Sequence, residues 1–271
     1  MDVKTLVHYL GKELESIGHE YESREILENL FNQDISYLYA HDDLQVGQKT
    51  LCRLEEVIKA RKSGQPLAYI FNKRSFFGRT FYVNPSVLIP RLETEFSVQE
   101  LLKLSGDSFL ELGIGSGCVS ITMKLERPNL SVDGVDISDQ AIQVANLNAK
   151  SHLAQTHFFK SNLFQEVSHS YDLIYSNPPY IRTEDMEILE DEVKKYEPHI
   201  ALNGGEDGLD FYKKIIKDTP NYLNKTGYLV LEIGYNQKEE IFSLLEEVNF
   251  TGKCIQDYAG YDRVIIATRR K

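Results

Sequence analysis

Two short stretches hold residue types whose spacing suits chemistry. In ELGIGSGC, residues 111–118, Gly113, Gly115 and Gly117 follow an apolar run directly. Glycines there let backbone N–H groups approach a ligand without interference from side chains. The next apolar run ends in Asp136, 19 residues after Gly117, where a carboxylate can accept both hydroxyls of a ribose. A dinucleotide site would need G-x-G-x-x-G, and Cys118 stands in the place of its last glycine. G-x-G-x-G preceded by an acid, here Glu111, is instead the pattern of S-adenosylmethionine (AdoMet) sites. The short turn leaves room for a methionine portion rather than a pyrophosphate.

The second stretch is DLIYSNPPYI, residues 172–181. Leu173, Ile174 and Tyr175 read as a strand, and Pro178 and Pro179 must end it because they cannot donate ladder hydrogen bonds. Ligands of open parallel sheets bind beyond the carboxyl ends of the strands, so this motif shares a rim with the glycine turn. The implied task is methyl transfer to a planar nitrogen, whose lone pair is delocalised and poorly nucleophilic. The Asn177 side-chain oxygen and the Pro178 carbonyl can each accept one N–H and aim that lone pair at the methyl. The prolines stiffen the loop, and Tyr180 offers a flat face for stacking a planar group. The product proton is acidic and leaves to water, so no catalytic Asp, Glu or His is nominated.

The elements that must position these residues are legible in the periodicity. Val3, Leu6, Val7, Leu10, Leu14 and Ile17 form one helical stripe, Ile26, Leu27, Leu30 and Phe31 a second, and Leu51, Leu54 and Ile58 a third. RSFFGRTFYVN reads as a β-hairpin about Gly78-Arg79. From Ser108, strand runs at 108–113, 131–137, 156–160, 171–176 and 227–233 alternate with helical stretches at about 117–126, 139–149, 209–223 and 237–248. That order predicts a mostly parallel sheet covered on both faces, with an antiparallel pair at the end where Ala259-Gly260-Tyr261 joins two last strands. NGGEDGLDFY, 203–212, lacks the ligand spacing of a calcium loop and reads as a rigid loop near the rim. Glu197 and His199 read as loop packing, and no cluster has metal-ligand spacing.

The chain has 271 residues and a net charge of −11, which argues against a protein that grips nucleic acid chiefly through phosphates. Lys59, Arg61, Lys62, Lys73, Arg74 and Arg79 nevertheless form a basic run without acids, read as a solvated face or a docking surface. Three scattered cysteines suggest neither disulfides nor zinc, and they fit a reducing cytoplasm. No membrane span or signal peptide is expected.

With GQPLAYI, FFGRTFYVNPSVLIPRLETE, VDISDQAIQVANLNA, YEPHIALNGGEDGLDFYKKII and LEIGYNQ added to the two motifs, nearly the whole chain resembles the peptide chain release factor glutamine N5-methyltransferases. The resemblance implies an α/β fold: a Rossmann-like, class I AdoMet-dependent methyltransferase sheet of seven mixed strands. It divides the chain into a substrate-binding helical domain at 1–72, a β-hairpin linker at 73–90 and the methyltransferase domain at 91–271. It implies methyl transfer from AdoMet, leaving S-adenosylhomocysteine, to the glutamine amide of the Gly-Gly-Gln motif in class 1 release factors. By position, Glu111, Gly113, Ile114, Gly115, Ser116, Gly117 and Ile137 would line the cofactor, Asp136 would hold its ribose, and Asn162 and Leu163 would flank the adenine. Asn177, Pro178, Pro179 and Tyr180 would hold the glutamine amide, with Asn177 also against the cofactor and Arg91 on the substrate side. A monomer without a stable nucleic-acid partner is expected. The sequence departs from the family at Leu92, where a proline is usual, at Asn162, where an acid is usual, and at Asn72, where glycine is common. The rival readings are an adenine-N6 or guanine-N2 nucleic-acid methyltransferase with the same loop chemistry, and a non-catalytic partner of the translation machinery.

Overall fold

The computed structural model describes residues Met1–Arg270, which divide into two compact units at Asn72/Lys73. In the first unit lie α1 (Val3–Glu15), α2 (Ser23–Phe31), α3 (Ile35–Ala40), α4 (Gln48–Lys62) and the single turn α5 (Leu67–Ile70). Asp2 caps α1, accepting from Thr5 N at 2.8 Å and so satisfying one of the end donors a helix leaves open. Val3, Leu6, Leu10 and Leu14 of α1 are buried against Ile26 and Leu27 of α2 and Leu54, Val57 and Ile58 of α4.

The α4 stripe continues one turn further than its apolar residues. Arg61 follows Leu54, Val57 and Ile58 at helical spacing and is only 3% exposed. Its Nε and Nη2 donate to the two carboxylate oxygens of Glu22 at 2.7 and 3.0 Å, and Nη1 donates to the Gln65 carbonyl at 3.3 Å. Of the basic run at 59–79, Arg61 therefore departs from the solvated face, whereas Lys59, Lys62 and Lys73 are exposed. Arg61 is interior, Lys62 pairs with Glu13, and Arg74 donates to the Pro90 carbonyl at 3.1 Å. Asn72 has φ 52°, a left-handed conformation that asparagine tolerates better than most residues, so the residue standing there in place of glycine fits its backbone.

The second unit opens with the hairpin β1 (Lys73–Phe76) and β2 (Arg79–Tyr82). Its two-residue turn is Phe77-Gly78, one position earlier than the spacing predicts, with φ of 50° and 71°. Positive φ at both central residues suits the twist of a tight hairpin, and Phe77 N is held by Glu95 Oε1 at 2.9 Å. There follow α6 (Leu92–Leu102), β3 (Ser108–Leu112), α7 (Cys118–Glu126), β4 (Ser131–Asp136), α8 (Asp139–Ser151), β5 (His157–Lys160) and β6 (Tyr171–Ser176). The last elements are α9 (Asp191–Tyr196), α10 (Asp210–Tyr222), β7 (Leu223–Glu232), α11 (Lys238–Glu247), β8 (Phe250–Gln256) and β9 (Asp262–Arg269). Leu92 begins α6, a position where proline is favoured but any residue serves.

The seven strands lie in the order β5-β4-β3-β6-β7-β9-β8. β5 to β7 are parallel, and β9 runs antiparallel to both neighbours. Phe109, Leu173, Tyr175 and Val230 bury one face, and Leu110, Leu112, Ile174, Leu229 and Leu231 the other. Burial of both faces explains why these strands read as unbroken apolar runs. β3 leads outward to β4 and β5, whereas β6 lies on its other side, so the direction of winding reverses between β3 and β6. That switch point opens a crevice at the carboxyl ends of the strands. No helix among the described residues is long and apolar enough to cross a membrane.

Candidate active site

The crevice holds a cavity of about 1160 Å³, including its solvent mouth. One wall is the glycine turn after β3. Gly113, Gly115 and Gly117 have φ of 79°, 51° and 76°, and the turn is tied down by Gly113 N and Ile114 N donating to the Val135 carbonyl at 2.8 and 3.1 Å. A Cβ at Gly113 or Gly115 would meet no protein atom within 4 Å, and both residues line the cavity. At Gly117 a Cβ would press on Ala145 at 3.0 Å and Ile121 at 3.1 Å. The first two glycines thus keep space open for a ligand, and the third lets α7 pack against α8.

Asp136 closes the same wall. Its Oδ2 accepts from Gly115 N at 3.0 Å and its Oδ1 from Ser138 N at 2.9 Å, so each oxygen keeps a lone pair for a further donor. Burial raises its carboxyl, while the N–H groups of Ser138, Gly115 and Ile137 pull against that rise. Glu111, 4% exposed, accepts from Ser120 N at 2.9 Å and from Ser120 Oγ. Burial pushes its carboxyl up to about 8. Ile114, Ser116, Ile137, Asn162 and Leu163 also line the cavity.

The opposite wall is the loop after β6. Ser176 Oγ donates to the Leu112 carbonyl at 2.8 Å, locking the ends of the two switch-point strands together. Asn177, Pro178 and Pro179 line the cavity. Asn177 Nδ2 donates to Glu232 Oε1 at 2.9 Å and approaches Thr94 Oγ1 at 3.4 Å. The amide's NH2 is therefore committed inward, and Oδ1 is the atom left to accept.

Tyr180 and Gly117 do not line this cavity. Tyr180 is packed against the core on the α10 side, and its carbonyl accepts from Gln237 Nε2 at 3.2 Å. The 203–212 loop braces the same backbone: a Cβ on Gly204 would come within 2.7 Å of the Pro179 carbonyl oxygen, and one on Gly208 within 2.5 Å of the Tyr180 carbonyl oxygen. Arg91 lines the cavity but is paired with Glu197, which also accepts from Ile89 N at 3.1 Å. Glu197 thus ties the entrance segment to the loop carrying Pro198, Ile200 and Ala201, all of which line the mouth. Glu197 does the loop packing expected of it, whereas Glu232 and Thr94 carry structure here that the sequence reading assigns to neither. The signal for Glu232 is an acid at the end of the apolar run YLVLEI.

The donor set fits AdoMet. Asp136 offers a two-oxygen acceptor of the kind a ribose diol needs, apolar Ile114, Ile137 and Leu163 line the cavity with the amide of Asn162, and open space faces two glycines. Sheet order, glycine turn and acid together define a class I AdoMet-dependent methyltransferase. The family model for the methyltransferase small domain matches residues 92–205, and that for the PrmC N-terminal domain matches residues 6–71. The chain belongs to the release factor glutamine methyltransferase family. It is 40% identical to the release factor glutamine methyltransferase of Geobacter sulfurreducens, over 84% of this chain and 82% of that one. It is 37% identical to that of Aquifex aeolicus, over 87% and 85% of the two chains. A methyltransferase from Pyrococcus furiosus shares the fold, with a TM-score of 0.55 at 18% identity over 82% of this chain and 98% of that one.

Proposed function

We infer that this protein transfers a methyl group from AdoMet to the side-chain amide nitrogen of the glutamine in the Gly-Gly-Gln motif of class 1 peptide chain release factors. Chain-long membership of the family supports the partner. The observation that carries the chemistry is Asn177, whose NH2 is turned inward to Glu232 while the residue lines the cavity opposite the glycine turn.

AdoMet, when bound, supplies an electrophilic methyl group on a sulfonium. Gly113 and Gly115 leave room for it, Asp136 accepts its ribose hydroxyls, and Ile137, Asn162 and Leu163 border its base. Asn177 Oδ1 and the Pro178 carbonyl each accept one N–H of the glutamine amide. Two acceptors fix the NH2 group and favour a more tetrahedral nitrogen, freeing its lone pair from the amide π system. The two prolines and the bracing by Gly204, Gly208 and Gln237 hold both acceptors in place before substrate arrives, so little ordering is left for the reaction step. The proton leaves to water once the nitrogen has gained its fourth bond. Release factors act where translation ends, and we place the protein in the cytoplasm.

The test uses labelled AdoMet with a class 1 release factor, its Gly-Gly-Ala variant and plain DNA in parallel. Label entering only the Gly-Gly-Gln protein is the expected result. Label entering DNA would overturn the partner and favour a base amine as acceptor.

A further inference from the structure

Glu232 ends β7 and is 2% exposed. It does not line the cavity, yet it receives four side-chain donors. Oε1 accepts from Asn177 Nδ2 at 2.9 Å and Thr94 Oγ1 at 3.2 Å, and Oε2 accepts from Ser97 Oγ at 2.9 Å and Tyr175 OH at 3.1 Å. A carboxylate offers about four acceptor sites and no proton to give, so these donors fill it. Thr94 and Ser97 come from α6 and Tyr175 from β6, which pins the carboxylate from two sides. Burial pushes the Glu232 carboxyl up, while these hydroxyls and the Arg263 charge pull it back.

Two effects reach Asn177 from this arrangement. A primary amide has nearly the same shape when its oxygen and nitrogen are exchanged, so packing alone does not choose between the two orientations. Beside a carboxylate, the reversed amide would set oxygen against oxygen, and only the NH2-inward orientation forms a hydrogen bond. A charge-assisted bond from Nδ2 also draws the amide's electrons toward Oδ1, which makes that oxygen a stronger acceptor.

We propose that Glu232 is the positioning residue of the reaction: it selects the orientation of Asn177 and strengthens Oδ1 as the acceptor for the substrate amide, without touching substrate or AdoMet. This rests on the amide-methylation reading above. The change Glu232→Gln keeps the shape but removes the selection, because two facing amides can reverse together.

The experiment measures kcat and KM for a class 1 release factor, AdoMet affinity by calorimetry, and thermal melting, for wild type, Glu232→Gln, Asn177→Ala and the double variant. Glu232→Gln should lower kcat about 10- to 100-fold, the range for loss of a charge-assisted positioning bond, with KM and AdoMet affinity within about threefold of wild type. In the Asn177→Ala background the same change should lower kcat by less than about threefold, because residues acting through one another are not additive. A Glu232→Gln enzyme with wild-type kcat would overturn the proposal. So would a double variant showing the full product of the two single losses, since that is the behaviour of an independent packing role. If Glu232→Gln does not fold, Tyr175→Phe removes one of the four donors instead. A several-fold loss of kcat that vanishes in the Asn177→Ala background is then expected, and an equal loss in both backgrounds overturns the proposal. A wild-type enzyme that leaves the release factor unlabelled overturns the functional reading itself, whatever the variants do.

Discussion

Replacing Glu111 with glutamine should flatten the fall of stability with pH. The carboxyl titrates near 4.5 when unhindered and near 8 in the folded chain, because burial disfavours its charged form more than its bonds from Ser120 favour it. The Asp136 charge adds to the push. Since the folded pKa lies above the unfolded one, the folded state holds the extra proton between those values. The stabilisation is complete below about 4.5 and is lost as pH rises through about 8. At about 1.4 kcal/mol per pH unit the full shift corresponds to about 5 kcal/mol, and relaxation around the ionised group brings the expected fall between pH 5 and 9 to about 2–4 kcal/mol. The substituted amide would still accept from Ser120 N but carries no charge at any pH. Urea unfolding of wild type and Glu111→Gln, without ligand at one-unit steps from pH 5 to 9, isolates this residue, because the other titrating groups are common to both proteins. A wild-type-minus-variant difference that stays within about 0.5 kcal/mol across the range would refute the reasoning, since a shift of even one unit predicts more than that.

Asp136→Ala removes the two-oxygen acceptor and should weaken AdoMet binding by about 10- to 100-fold in calorimetry, the loss expected of one or two hydrogen bonds to a charged group. Gly115→Ala places a methyl group in open cavity at a φ of 51°, so AdoMet affinity should fall and stability drop by about 1 kcal/mol in urea unfolding. Arg61→Met leaves Glu22 without its bidentate partner and should destabilise the helical unit by about 3–5 kcal/mol, read as an earlier transition in a thermal scan.

The strands are readable from the sequence because both faces of the sheet are buried, and an unbroken run such as FLEL or LVLEI has one easy interpretation. The glycine turn and Asp136 are legible for a related reason: backbone geometry demands those residue types within one βαβ unit. Arg61 misleads although its signal is present. Its spacing from Leu54, Val57 and Ile58 puts it on the buried stripe, but a positive charge there reads as surface, and its partner Glu22 lies outside that helix. Glu232 is illegible in another way. Its meaning arises only when β7 lies beside β6 and α6 packs over both, which brings together residues 55 or more positions apart. Tyr180 shows the reverse, a motif residue whose packing against Gln237 and the core cannot be read from four letters of local sequence.

The pair of acceptors proposed for the loop after β6 also bears on how many times one glutamine is modified. An unreacted primary amide brings two N–H groups, one for Asn177 Oδ1 and one for the Pro178 carbonyl. The methylated product has a single N–H left, so rebinding it in the same pose would strand one acceptor, at a cost of about 1–3 kcal/mol, or roughly 5- to 150-fold in occupancy. The floor that captures the reactant thereby disfavours its own product, and turnover should stop at one methyl group per glutamine. Intact-mass measurement after prolonged incubation with excess AdoMet should show a single added methyl, and a dimethylated species accumulating at a comparable rate would contradict the two-acceptor geometry.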